Sequence, residues 1–145
     1  MNAPSDAEQL AAELRTSIGL LVRRMRQVPS EGELTLPETS ALARLDRGGP
    51  TTSAALARLE QISPQSMGAT LAALQERGLV DRTGDPRDGR RVILSLTTAG
   101  REVLQSRRNA RTHALAQALT TEFSAAEMRQ LSTIVPLLER LAQSI

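Results

Sequence analysis

The chain has 145 residues, enough for one ordinary domain with a buried core. With one Phe and no Trp or Tyr, that core must be aliphatic. The absence of Cys excludes disulfides, zinc–thiolate sites and thiol-based redox sensing, and fits an intracellular protein. Net charge is only +2, but residues 40–111 hold 12 Arg against 7 acids while both flanks are slightly acidic, so the middle suits a polyanion and the ends suit each other.

In chain order, Ser5-Asp6-Ala7-Glu8 reads as a capping box opening a first helix. Leu10, Leu14, Ile18, Leu21, Met25 and Val28 follow at helical spacing as one apolar stripe, and Pro29 and Gly32 end it. The acidic start is unlike a signal peptide, and no apolar run approaches the roughly 20 residues of a membrane span. The expectation is a cytoplasmic protein without membrane association. Thr35-Leu36-Pro37-Glu38 is a second capping box, opening a helix with Leu42 and Leu45 that Gly48-Gly49-Pro50 stops. Thr52 can cap a short third helix bearing Leu56 and Leu59.

After the turn at Gln61-Ile62, Ser63 is a good N-cap and Pro64 suits the first helical position, where its missing N–H costs nothing. This fourth helix runs to about Arg77, with Gly78 as the residue that closes it. Leu79–Thr83 and Arg91–Leu96 are β-prone and flank the loop Gly84-Asp85-Pro86-Arg87-Asp88-Gly89-Arg90. Asp88-Gly89 between such runs signals a hairpin, with Gly89 expected at positive φ. Thr97 starts a fifth helix lasting to about Thr121, and Ser124 with Glu127 caps a sixth. The sixth carries Leu131, Ile134, Val135, Leu138 and Leu141, and Pro136 inside it should bend it. The fold class is mainly α with a small β-hairpin wing, in the order α-α-α-α-β-β-α-α: a winged helix-turn-helix flanked by helical ends.

On the fourth helix Met67, Thr70, Leu71 and Leu74 share the inward face, and Gln65, Ala69, Ala72 and Glu76 the opposite one, with Ser66 and Gly68 on its flanks. Placed in a major groove, Gln65 can pair with adenine and Ser66 can donate or accept. Ala69 and Ala72 can touch only thymine methyls. Direct readout is therefore modest, and phosphate contacts and DNA shape supply the rest. In the wing, Arg90 is the residue expected to carry most, with Asp88 two positions earlier able to orient its guanidinium. Arg87 and Arg91 suit phosphates. Arg101, Arg107, Arg108 and Arg111 read as a solvated face of the fifth helix. The lone His113 has no nucleophile or metal-ligand spacing around it, and no catalytic or nucleotide-binding motif occurs, so neither enzyme activity nor a cofactor is expected.

The sequence resembles the multiple antibiotic resistance regulator (MarR) family of bacterial transcription factors. The likeness is densest at Leu56-Ala57, Ile62-Ser63-Pro64-Gln65-Ser66, Leu74, Gly78-Leu79-Val80, Asp85-Pro86, Asp88-Gly89-Arg90 and Leu96-Thr97-Thr98-Ala99-Gly100. It implies a homodimer that represses by occupying a pseudo-palindromic duplex operator. Residues 1–34 and 112–145 would dimerise, 35–100 would form the DNA-binding lobe and 97–121 the linking helix. It also implies Arg90 in the minor groove held by Asp88, and Ser63–Ala69 facing the major groove. A small lipophilic or anionic ligand, bound between the dimerisation and DNA-binding parts, would release DNA. Relatives often carry a basic residue at Ala69 and an acidic one at Ala72, so base preference does not transfer. The poverty of polar groups on that helix keeps a second reading open: a winged-helix protein-interaction module without DNA binding.

Overall fold

The computed structural model describes residues 3–30 and 32–145, with side chains from residue 6 onward. The elements are α1 (Ala3–Arg26), α2 (Leu36–Gly48), α3 (Ser53–Glu60), α4 (Pro64–Glu76), β1 (Val80–Gly84), β2 (Val92–Leu96), α5 (Thr98–Glu122) and α6 (Ala125–Gln143). The order is the one expected from the sequence. The chain divides into two compact units, Pro29–Asn109 and Met1–Val28 with Ala110–Ile145.

In the first unit, the ends of the helices follow local chemistry. At α2 the Thr35 hydroxyl accepts the Glu38 amide and the Glu38 carboxylate accepts the Thr35 amide, a reciprocal cap that stabilises such a helix by about 1 kcal/mol. Thr52 caps α3 through the Ala55 amide and Ser63 caps α4 through the Ser66 amide. At the far end of α4, Gly78 at φ 72° lets its own amide reach Gln75 O and the Leu79 amide reach Leu74 O. That left-handed closure reverses the chain into the wing. The α3–α4 turn has the same form but is made by Gln61 at φ 54°.

Fourteen aliphatic or Met side chains form the core of this unit, from Leu34 to Leu104. Leu42, Leu56, Met67, Leu74 and Val80 are its largest fully buried members, each contributing roughly 1.5–3 kcal/mol by burial. β1 and β2 are antiparallel, with Val80 opposite Leu96, Arg82 opposite Leu94 and Gly84 opposite Val92. A third, single-residue rung joins them, because Leu94 exchanges both backbone hydrogen bonds with Thr51. Thr97 ties the wing to α5: its hydroxyl donates to Gly78 O and accepts the Gly100 amide. Gly100 itself cannot carry a side chain, since a Cβ there would lie 2.3 Å from Leu79 O and 2.6 Å from the Leu96 side chain.

In the second unit, α6 is capped reciprocally by Ser124 and Glu127 and runs through Pro136 without interruption. Its apolar stripe and that of α1 stay largely uncovered within the chain: Leu10, Leu21, Val135 and Leu141 are all exposed.

Four expectations need correction. α1 begins at Ala3, ahead of the Ser5 box, because Pro4 in the first turn needs no N–H partner; the Ser5 side chain lies outside the described residues. Positive φ occurs at Gly32, Gly49 and Gly78, not at Gly89, since the wing loop is long enough to close by other means. Leu59 faces solvent at 54% exposure, so Leu56 and Ala57 anchor α3 to the core. Arg107 is buried rather than solvated.

Candidate nucleic-acid interface

The exposed face of α4 follows from burial of the other one. Met67, Leu71 and Leu74 are buried, and the 3.6-residue period then turns Gln65, Ser66, Gly68, Ala69 and Ala72 outward. Ser63 precedes the helix, and its hydroxyl is engaged in the cap: it accepts the Ser66 amide and donates to Ser66 Oγ. Ser63 thus fixes the start of the helix, while the Ser66 hydroxyl proton and the Gln65 amide remain on the surface. This face is short, small and weakly polar.

The wing loop is built by carboxylates acting on backbone. Asp85 Oδ1 accepts the Arg87 amide at 2.9 Å and Asp88 Oδ1 accepts the Arg90 amide at 3.1 Å. These aspartate turns, with the Arg91 amide on Asp88 O and the Asp85 amide on Arg91 O, close the loop without a left-handed residue. Asp88 therefore orients Arg90 through its main chain, where the sequence suggested the guanidinium. Arg91 Nε lies 4.0 Å from Asp85, a loose ion pair. Arg87 and Arg90 are exposed and have no carboxylate partner among the described residues.

The remaining arginines of this unit divide by partner. Arg44 binds Glu60, Arg77 binds Glu38 and the Glu33 carbonyl, and Arg108 binds Asp46. Those three stitch helices together. Arg82 on β1 is unpaired among the described residues and borders a pocket of about 80 Å³ with Ser53, Gly68, Leu71, Ala72, Val92 and Leu94. α4 and the wing thus flank a shared notch. A weakly polar helix face beside a hairpin tipped with unpaired guanidinium groups is suited to a groove and its phosphates.

Residues 33–91, from just ahead of α2 to the end of the wing loop, match the MarR family profile. An HTH-type transcriptional regulator of Mycobacterium bovis is 38% identical over 117 residues, covering 81% of both chains. The chain belongs to the MarR family of DNA-binding transcriptional regulators. Its place there is in regulation of transcription rather than catalysis. Solved structures agree on the MarR fold. A transcriptional regulator from Pseudomonas aeruginosa superposes with a TM-score of 0.82 at 31% identity, over 94% of this chain and 96% of that one. BpsR of Bordetella bronchiseptica, whose DNA binding is regulated by 6-hydroxynicotinic acid, superposes with a TM-score of 0.58 at 22% identity, over 92% and 98%.

Within this MarR-family lobe, sequence reading passed over Thr51, Arg82 and the reason for Gly100. Thr51 sits between a helix stop and a cap, where nothing local marks a strand. Arg82 lies in a run of mixed polarity whose inward side is set by pairing rather than by pattern. Only the Leu-Thr-x-x-Gly motif carried a usable signal, and close approach of Gly100 to Leu79 O explains its glycine.

Proposed function

We propose that this regulator is a homodimeric repressor that holds two half-sites of a pseudo-palindromic operator. In each protomer Gln65, Ser66, Gly68 and Ala69 face the major groove from a helix start fixed by Ser63. Arg90 enters the minor groove, and Arg87 and Arg91 bind phosphates around it, on a loop shaped by Asp88. The observation that carries this reading is the juxtaposition of the exposed α4 face with a wing whose Arg87 and Arg90 have no carboxylate partner among the described residues.

Dimerisation is supported by the apolar faces of α1 and α6. Leu10 is 56% exposed and Val135 53%, and an open groove of about 380 Å³ lies between the two helices, lined by Leu10, Leu14, Leu137 and Leu141 among others. Uncovered apolar surface of this extent marks an association site. Regulation by a small anionic ligand is supported by Arg107, which is 8% exposed. Its Nη1 reaches Ser30 Oγ at 3.5 Å, and among the described residues its Nε has no hydrogen-bond partner and the guanidinium no carboxylate in ion-pair range. The control of BpsR by 6-hydroxynicotinic acid points to the same class of ligand.

The test is footprinting of the full chain on the DNA upstream of its own gene, paired with sedimentation of the complex. The expected result is protection of two related half-sites about one helical turn apart on one face of the duplex, by two protomers. A single unrepeated half-site bound by one chain would contradict the proposal.

A further inference from the structure

We propose that the notch between α4 and the wing is a sequence-independent grip on one DNA strand, with Arg82 as its phosphate contact. The inference rests on the DNA-binding reading above and adds a residue and a surface to it. It starts from strand register. Val80, Arg82 and Gly84 alternate onto one face of the hairpin, opposite Leu96, Leu94 and Val92. That is the core-facing side, because Val80, Leu94 and Leu96 are all buried. Arg82 therefore occupies an inward position just where the sheet outgrows the core. Its side chain is exposed there, at the edge of the core rather than inside it.

The surroundings of Arg82 favour an anion that comes from outside. Asp81, the neighbouring acid on the strand, pairs across to Ser95 and so points to the opposite face. No carboxylate lies within ion-pair distance of Arg82 among the described residues, whereas Arg44, Arg77 and Arg108 each have one. Across the notch α4 presents Gly68 and Ala72, and a Cβ built on Gly68 would meet nothing within 4 Å. The notch is small, about 80 Å³, and open to the surface. Leu71, Ala72 and Val92 give it apolar walls for a deoxyribose, and Arg82 supplies the cation. When α4 lies in the major groove and the wing in the minor groove, the strand that separates the two grooves must pass between them. The notch is where it passes.

The experiment compares wild type, Arg82→Gln, Arg82→Lys and Ala72→Leu as full-length proteins, by fluorescence anisotropy. The probes are a duplex from the upstream region of its own gene and a random-sequence duplex, titrated across about 50–200 mM salt. Arg82→Gln should weaken binding to both duplexes by the same factor, and lower the log–log salt slope by about 0.9 for each protomer bound. Arg82→Lys should restore most of both, since a phosphate accepts a point charge. Ala72→Leu, which fills the notch without removing charge, should weaken binding to both duplexes with little change in slope. Melting temperatures should stay near wild type. Unchanged affinity and slope in Arg82→Gln, a loss confined to one duplex, or a fall in melting temperature with no change in slope would each overturn the assignment. Failure of the wild type to bind either duplex would instead contradict the DNA-binding reading on which it rests.

Discussion

At the scale of single residues, the arginines separate by what they touch. Arg44, Arg77 and Arg108, held by carboxylates, hold helices together; Arg87 and Arg90 at the wing tip have no carboxylate partner among the described residues. Arg90 is the sharpest case, exposed on a loop whose shape depends on the Asp88 carboxylate and the Arg90 main chain, not on its side chain. Arg90→Ala should therefore weaken operator binding by about 1–3 kcal/mol while leaving the thermal melt unchanged, a pair of readings that gel shift and calorimetry give together. Loss of the fold in that variant would mean the side chain has an internal role. Much of this was legible in the sequence, because Asp-x-Arg in a Gly-bounded loop identifies a displayed guanidinium. The partner of Asp88 was not, since a carboxylate two residues before an arginine can reach its amide more easily than its guanidinium. Arg107 was hidden for another reason: helical periodicity places a residue on a face but does not say which faces are covered.

Among the elements, local and tertiary causes part company. The caps at Thr35, Ser63 and Ser124 form as their sequences dictate, because every participating group lies within three residues. The start of α5 depends on distant contact instead. Its Gly100 lies against the Leu79 carbonyl at the base of the wing, so Gly100→Ala should destabilise the lobe by about 1–3 kcal/mol despite the higher helix propensity of Ala. Chemical denaturation would read this, and an Ala variant as stable as wild type would show that the contact yields. The α2–α3 junction makes a pH prediction. The Ser40 hydroxyl and then the Arg44 guanidinium hold the Glu60 carboxyl below its ordinary value of 4.5. With the folded value depressed, the stabilisation is fully present above the unfolded value and is lost as pH falls through the folded one. Glu60→Gln should thus lower stability near neutrality and flatten the decline below about pH 4.5 in pH-dependent denaturation. A parallel acid limb in the variant would remove Glu60 from that role.

For the molecule as a whole, the two compact units differ in how well the chain satisfies them. Pro29–Asn109 encloses a closed aliphatic core, whereas Met1–Val28 with Ala110–Ile145 leaves the stripes of α1 and α6 half in water. The stripes were plain in the sequence as 3- and 4-residue spacings, yet spacing alone cannot distinguish packing within a chain from packing between chains. Their exposure favours a second copy, which would also set two recognition helices on one duplex. With Arg82, Arg87 and Arg91 of each protomer on phosphates, as proposed, binding would be steeply salt-dependent. Sedimentation velocity of the protein with a labelled upstream duplex, repeated from about 50 to 200 mM salt, reads stoichiometry and salt response together. Two protomers per duplex, with affinity falling about a thousandfold over that range, is the expected result. A chain that stays monomeric on DNA, or binds with no dependence on salt, would contradict it.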